Sequence, residues 1–251
     1  ELKNAGLDTL PGTAAEILDD SVRKIICADK INTQQWIEVM RQAHSIGFKT
    51  TSTIMYGHVE TAENWANHLI AIRNLQVETG GFTEFVPLPF VAEEAPIFLK
   101  GKARKGPTFR EAILMHAVAR ILFFRVINNI QASWVKMGHE AVVAALHAGV
   151  NDLGGTLMNE SITRAAGASH GQETHPEVML EMINSARRIP KLRNTLYGDI
   201  DPDRLAIALK AKTVVPIIND MSAVISKSNR DRNKQKELIK NSPAVDGLGN
   251  G

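Results

Sequence analysis

Along this chain, runs in which apolar and polar residues alternate take turns with stretches in which apolar residues recur every three or four positions. The first rhythm predicts strands and the second predicts helices. Leu7 to Leu10 is short and extended, and Pro11-Gly12 turns it. Thr13-Ala14-Ala15-Glu16 has the form of a capping box, which predicts a helix running on through Ile17, Leu18, Val22 and Ile25. A second helix carries Trp36, Val39, Met40 and Ala43 and stops at Gly47. Phe48 to Tyr56 is rich in β-branched residues and reads as a strand. Thr61 then caps a helix with Trp65, Leu69 and Ile72 on one face, ended by Gly80-Gly81. Phe82 to Val86 is the next strand, expected to stop at Pro87 and Pro89, which cannot donate to a central ladder. After a loop rich in Gly, Lys and Pro, Pro107 is expected to open a helix bearing Leu114, Val118 and Leu122.

Ile127 to Val135 carries the most information. Ile130, Ala132 and Trp134 share one parity, and Asn129, Gln131 and Ser133 share the other. Side chains alternate across a strand, so one face is apolar and the other polar. In a barrel the apolar parity meets the surrounding helices and the polar parity faces the lumen, where a ligand cavity is expected. A helix around Val142 and Leu146 ends at Gly149, and Val150 to Leu153 reads as a fifth strand. Two further helices follow, the second expected to start from a capping box at Thr174-His175-Pro176-Glu177. Beyond Tyr197-Gly198, Asp201 to Val224 is predicted helical with a break at Pro216. Five strands alternating with helices give an α/β fold with a parallel sheet. They are too few for a closed eight-stranded barrel, which a truncated start explains. An open doubly wound sheet would need a Gly-rich phosphate loop after its first strand, and there is none. The expected organisation is a barrel part over residues 1–198, a helical extension over 199–225 and a polar tail over 226–251.

Composition narrows the chemistry. A chain of 251 residues with 44% apolar and 22% charged residues can bury a full core, and no apolar run is long enough for a membrane span. No signal peptide is visible, so a cytoplasmic location is expected. The net charge of +2 is unevenly spread: Lys227, Arg230, Arg232, Lys234, Lys236 and Lys240 against Asp231 and Glu237 put +4 into one short segment. Basicity confined to a tail, rather than spread over a face, argues against a nucleic-acid reader. The single cysteine, Cys27, rules out a disulfide framework and any iron–sulfur site built from this chain alone, and reads as a small buried hydrophobe. Neither a His-Glu-x-x-His metal motif nor a Gly-x-Ser-x-Gly nucleophile elbow is present.

In an αβ barrel, functional side chains gather where strands end. Those positions hold Glu16, then Tyr56, Gly57, His58 and Glu60, then Glu84, Gln131, Ser133, Lys136 and Asp152. Each has a plain alternative. Glu16 is placed to cap its helix, His58 to sit in a loop, Lys136 to be solvated, and Asn151-Asp152 to form a turn. Glu60 falls in a first helical turn, where carboxylates are favoured in any case. Glu84 is harder to explain structurally, because a carboxylate inside an apolar strand is costly without a partner.

Taken in order, these strand ends resemble the radical S-adenosylmethionine (radical SAM) family. Leu10-Pro11-Gly12-Thr13-Ala14-Ala15-Glu16-Ile17-Leu18 resembles its fourth-strand segment, Thr50 to Thr61 its fifth strand and loop, and Gly81 to Phe90 its sixth. Asn129 to Lys136 and Asn151 to Met158 resemble the seventh and eighth. The Ser133-Trp134-Val135-Lys136 and Asp152-Leu153-Gly154-Gly155-Thr156 blocks are most similar to the tyrosine-using FO synthase type, with the menaquinone-pathway enzymes as the alternative.

The resemblance implies a partial radical SAM (β/α) barrel lacking its first three strands. In the parent enzyme, a four-iron four-sulfur cluster held by three upstream cysteines would cleave S-adenosylmethionine. The hydroxybenzyl group of tyrosine would then pass to a ribityl-diaminouracil, with the other FO synthase subunit or fused half as partner. It implies S-adenosylmethionine contacts at Glu16, Tyr56, Gly57, His58 and Glu60, and substrate contacts at Glu84, Gln131, Ser133 and Asp152. This chain by itself is then expected to bind no cluster and to be inactive. A non-catalytic α/β scaffold is the reading from outside that class.

Overall fold

The computed structural model describes residues 1–214 apart from Thr13, Met158 and Ser169. The basic segment and the end of the chain lie outside the described residues, as does the expected break at Pro216. The elements run β1 (Thr9–Leu10), α1 (Asp20–Ile26), α2 (Thr33–Ser45), β2 (Lys49–Tyr56), α3 (Ala62–Thr79), β3 (Phe82–Pro89), α4 (Pro96–Leu99) and α5 (Phe109–Leu122). They continue with β4 (Asn129–Ile130), α6 (Trp134–Met137), α7 (His139–His147), α8 (Ile162–Ala165), α9 (Pro176–Ser185) and α10 (Pro202–Lys210). The strands form one parallel sheet in the order β1-β2-β3-β4. An isolated parallel bridge between Gln131 and Asp152 stands where the fifth strand was expected.

Register puts Thr51, Thr53 and Met55 beside Glu84, Val86 and Leu88, and Glu84 beside Asn129. Paired residues share a face. The opposite parity packs under the helices: Ile54 and Tyr56 from β2, Phe85 from β3 and Ile130 from β4 are each 0% exposed and join Trp36, Leu69, Ile72, Phe123 and Trp134 in the core. The polar parity is therefore on the face away from the helices, as the alternation along residues 127–135 predicts.

Local chemistry explains most helix starts. Asn32 and Gln35, Thr61 and Asn64, and Thr108 and Glu111 form reciprocal capping boxes at α2, α3 and α5. Gly80 ends α3 in the left-handed conformation, at φ 62°. Several expectations are corrected. Thr108, not Pro107, starts α5, and His175, not Thr174, caps α9. The capping box expected at Thr13 to Glu16 does not start a helix: Glu16 has φ 45°, and α1 begins after Asp19, whose carboxylate accepts from the Ser21 amide. A tertiary contact overrides the local signal there. The Arg23 guanidinium, 3% exposed, donates to the carbonyls of Ala15 and Ile31 at 2.5 Å and holds the preceding loop in its non-helical path.

β3 also runs further than expected, through both prolines. Phe90 donates its amide to the Tyr56 carbonyl, so by alternation the ring nitrogens of Pro87 and Pro89 face the β4 side. Pairing with β4 has ended there, after Phe85 and Ile130, so no ladder bond is lost. The strand expected over Ile127 to Val135 shortens to two residues because the chain turns helical at Trp134. Cys27, 5% exposed, closes α1 as a buried small side chain. Among the described residues no helix is long and apolar enough to cross a membrane.

Candidate functional site

Two clusters of charge organise the expected site residues. The first lies at the carboxyl end of β2. Glu60 turns back so that its carboxylate accepts hydrogen bonds from the backbone amides of Gly57, His58 (2.9 Å) and Val59 (3.0 Å) and from the Trp65 indole (2.8 Å). Its side chain is fully buried. Burial opposes the charge, but these donors and the neighbouring His58 hold the carboxyl well below the usual carboxylate range. His58 Nε2 lies 3.0 Å from the Met55 carbonyl and Nδ1 lies 2.8 Å from Glu60, with Arg104 3.7 Å from the same carboxylate. The loop needs glycine at its first position: Gly57 has φ +98°, and a Cβ there would sit 2.2 Å from Pro107. Glu60 is thus the residue that organises this loop, ahead of the Thr61 cap and not in the first helical turn expected for it.

Glu16 reaches the same end of β2 by its backbone, its carbonyl accepting from Met55 at 3.0 Å, while its carboxylate pairs with Lys30 at 2.7 Å. Tyr56 is brought to the loop by its backbone alone. Its ring is in the helix-facing core, edge-on to Trp65, with a buried hydroxyl that has no partner among the described residues. The side chain of Tyr56 therefore packs in the core, and only its backbone stands at the loop.

The second cluster lies on the sheet face opposite the helices. Glu84 and Asp152 are joined by two residues that their positions in sequence did not announce. Arg193 donates to both oxygens of Asp152, at 2.5 and 2.9 Å, and sits 3.6 Å from Glu84. The Tyr197 hydroxyl donates to the Glu84 carboxylate, and the guanidinium stacks 3.9 Å from the Tyr197 ring. Burial pushes the Glu84 carboxyl up, and burial together with the bond to Glu84 raises the Tyr197 phenol. Glu84 has the partner that its place in an apolar strand demands. Gln131 and Ser133 share this sheet face but make no bond to the four-residue cluster. Ser133 precedes α6 without capping it through its side chain, and Gln131 packs against Gly154. The signal for Arg193 was a cation in an otherwise unassigned segment, and Tyr197 was visible only as a boundary.

An iron–sulfur cluster does not fit the described residues. Three thiolates are required, and the one thiol, Cys27, is buried and pushed up in pKa by that burial, the reverse of a metal ligand. Among the described residues no three His, Cys, Asp or Glu side chains converge on a metal position.

Comparisons with known proteins place this geometry in a family. Residues 79–204 match the family model described as the CofH/MqnC C-terminal region. The chain is 53% identical over 201 residues to a 5-amino-6-(D-ribitylamino)uracil–L-tyrosine 4-hydroxyphenyl transferase of Archaeoglobus fulgidus, covering 80% of this chain and 58% of that one. It is 56% identical over 200 residues to a second protein of that name from Methanosarcina mazei, covering 79% and 53%. An FO synthase of Nocardia farcinica is 50% identical over 200 residues, covering 80% of this chain and 23% of its own. The chain spans about half the length of the two archaeal relatives. A crystal structure of phosphonopyruvate hydrolase aligns over 97% of this chain and 82% of its own with a TM-score of 0.43 and 16% identity, too loose a likeness to argue from. The match over residues 79–204 decides the matter: the chain belongs to the CofH/MqnC C-terminal region family.

Proposed function

We propose that this chain is the C-terminal part of a radical S-adenosylmethionine transferase that moves the hydroxybenzyl group of tyrosine onto 5-amino-6-(D-ribitylamino)uracil, in a partial (β/α) barrel. The observation that carries the reading is the identity of about one residue in two, over some 200 residues, with relatives named for that reaction. In this reading the cysteines that hold the cluster lie outside these residues, which contain one cysteine. In this reading the protein acts in the cytoplasm, and the other FO synthase subunit or fused half is its partner.

What this chain would contribute is position. The Gly57–Val59 loop, fixed by Glu60, offers its backbone and His58 to S-adenosylmethionine, with Glu16 close to the ribose. Gln131 and Ser133 offer uncommitted polar groups on the sheet face to the substrates. Glu84 and Asp152 already spend their charge on Arg193 and Tyr197, so they act by holding the 187–200 segment over that face.

The full-length polypeptide, reconstituted anaerobically and given S-adenosylmethionine, a reductant, tyrosine and ribityl-diaminouracil, is expected to yield 5′-deoxyadenosine and the hydroxybenzylated uracil by mass spectrometry. Turnover of a futalosine-type substrate instead would move it to the menaquinone branch that shares the family model. No turnover of either would end the radical-enzyme reading. The 251-residue chain alone, treated with iron and sulfide, is expected to show no stoichiometric four-iron absorption spectrum.

A further inference from the structure

A helix on the outside of a globular protein buries one apolar stripe and shows water a polar face. α5 departs from that rule. Among the described residues 111–122, the exposed ones are Leu114, Val118 and Ile121, spaced four and three apart on the side opposite the buried Ala112, Met115 and Ala119. Phe124 continues the stripe past the helix end, and Ile70 and Val77 of α3 flank it, with Asn74 between them. The two helices are neighbours there. Arg73, on the same side of α3 as Ile70 and Val77, donates to the Leu122 carbonyl at 3.2 Å, and Gln76 donates to the Val126 carbonyl at 3.1 Å. The six apolar side chains are each 46–78% exposed. Nearby cations are committed elsewhere: Arg120 donates to the carbonyls of Gly149 (2.6 Å) and Asn128 (2.8 Å), and the Arg125 guanidinium lies 5.2 Å from the Phe124 ring.

These six side chains present on the order of 600 Å² of apolar surface, about the most that a monomer ordinarily leaves in one patch. An interface of standard size takes about 800 Å² from each partner, about two-thirds of it apolar in homodimers, so the patch matches what one side of a dimer needs. Its place in the fold keeps it from being covered by an extension of the sheet. Further strands can join only at the edges, beside β1 or beside the Gln131–Asp152 bridge. α5 packs behind β3 and β4, between those edges, with Phe123 edge-on to Phe85 at 5.0 Å. None of the exposed positions of α5 between Arg110 and its end carries a charge that would select an oppositely charged partner, and an apolar stripe is its own complement. We infer that this face pairs with a second copy of the chain across a two-fold axis, α5 against α5, with Val118, the middle residue of the stripe, nearest the axis. Such a dimer does not depend on the reaction proposed above.

Sedimentation velocity on the full-length polypeptide reads the oligomeric state directly. Wild type is expected to be a dimer at about 10 µM, since interfaces of this size hold at micromolar concentrations or below. V118E and V118K each set two like charges together near the axis and are expected to weaken association at least about 100-fold. Mixed in equal amounts, the two variants are expected to restore a dimer, because each charge then meets its opposite, and that rescue also shows both to be folded. I121Q, a neutral change at the most exposed of the six side chains, is expected to weaken association about 10-fold. I25E, at an exposed isoleucine of α1 away from the patch, is expected to leave it unchanged. The Tm of wild type is expected to rise with protein concentration and that of V118E to stay fixed. A wild type that is still monomeric at about 100 µM overturns the dimer. So does a dimer that V118E, V118K and I121Q all leave intact. A mixture of V118E and V118K that stays monomeric overturns the two-fold contact. A monomeric wild type that floats with phosphatidylcholine vesicles, where V118E does not, gives the patch to a lipid surface instead of a second copy.

Discussion

Replacing Arg193 with methionine is expected to destabilise the protein by about 3–5 kcal/mol, read from urea unfolding at neutral pH. The side chain touches two carboxylates that are 11% and 9% exposed, Glu84 and Asp152, and methionine leaves both without a counter-charge. Breaking a buried pair from one side costs more than the pair contributes when whole, because the abandoned charge stays where it is. Two controls sharpen the test. E84Q keeps the shape and still accepts from the Tyr197 hydroxyl, so it is expected to cost no more than about 1 kcal/mol. The deficit of R193M should also shrink in acid. The folded-state pKa of Glu84 is raised, so its ionisation penalises the fold as pH climbs from the unfolded value of about 4.3 through the folded one, and below the unfolded value that penalty is absent. A deficit under about 1 kcal/mol, or one that does not vary with pH, means that the cluster is solvated and the segment after α9 is only loosely attached.

The second large effect belongs to Glu60. E60A removes the acceptor for three backbone amides and an indole in a buried loop, with an expected loss of about 3–5 kcal/mol. The sign of its pH dependence is opposite to that of Glu84. The folded-state pKa of Glu60 is depressed, so its contribution is fully present above the unfolded value of about 4.3 and disappears as pH falls toward the folded one. Wild type and E60A should therefore converge in stability in acid. Amide hydrogen exchange at Gly57, His58 and Val59 should quicken in the variant at pH 7. If those amides keep their protection, the loop is held by Gly57 against Pro107 instead, and Glu60 is a passenger.

How far these features could be read from the sequence depends on the range of the interaction that creates them. The parity of residues 129–134, the cap at Thr61 and the stop at Gly80 follow from neighbours within a few positions, and they hold in the structure. Glu16 shows the limit. Its spacing from Thr13 imitates a helix start, and only the Arg23 guanidinium, bonding back to carbonyls six to nine residues away, reveals that the loop is otherwise engaged. Glu84 could be singled out, because an acid in an apolar strand needs an explanation, but its partner Tyr197 is 113 residues distant and no periodicity links them. Glu60 is a correction: it lies ahead of the Thr61 cap and outside the first helical turn, so the helix dipole does not account for it, and its carboxylate folds back onto three amides instead.

The prolines in β3 have a further meaning. Where Pro87 and Pro89 stand, the strand has no amide hydrogens to offer toward β4, so the seam between the two strands cannot be zipped shut past Phe85. Pro89 lines the cavity that opens beyond that point. The opening is thus written into backbone covalent chemistry and does not rely on the side chains that furnish it. A substitution at Lys136 or Phe90 changes what lines the cavity and leaves this break in the ladder where it is.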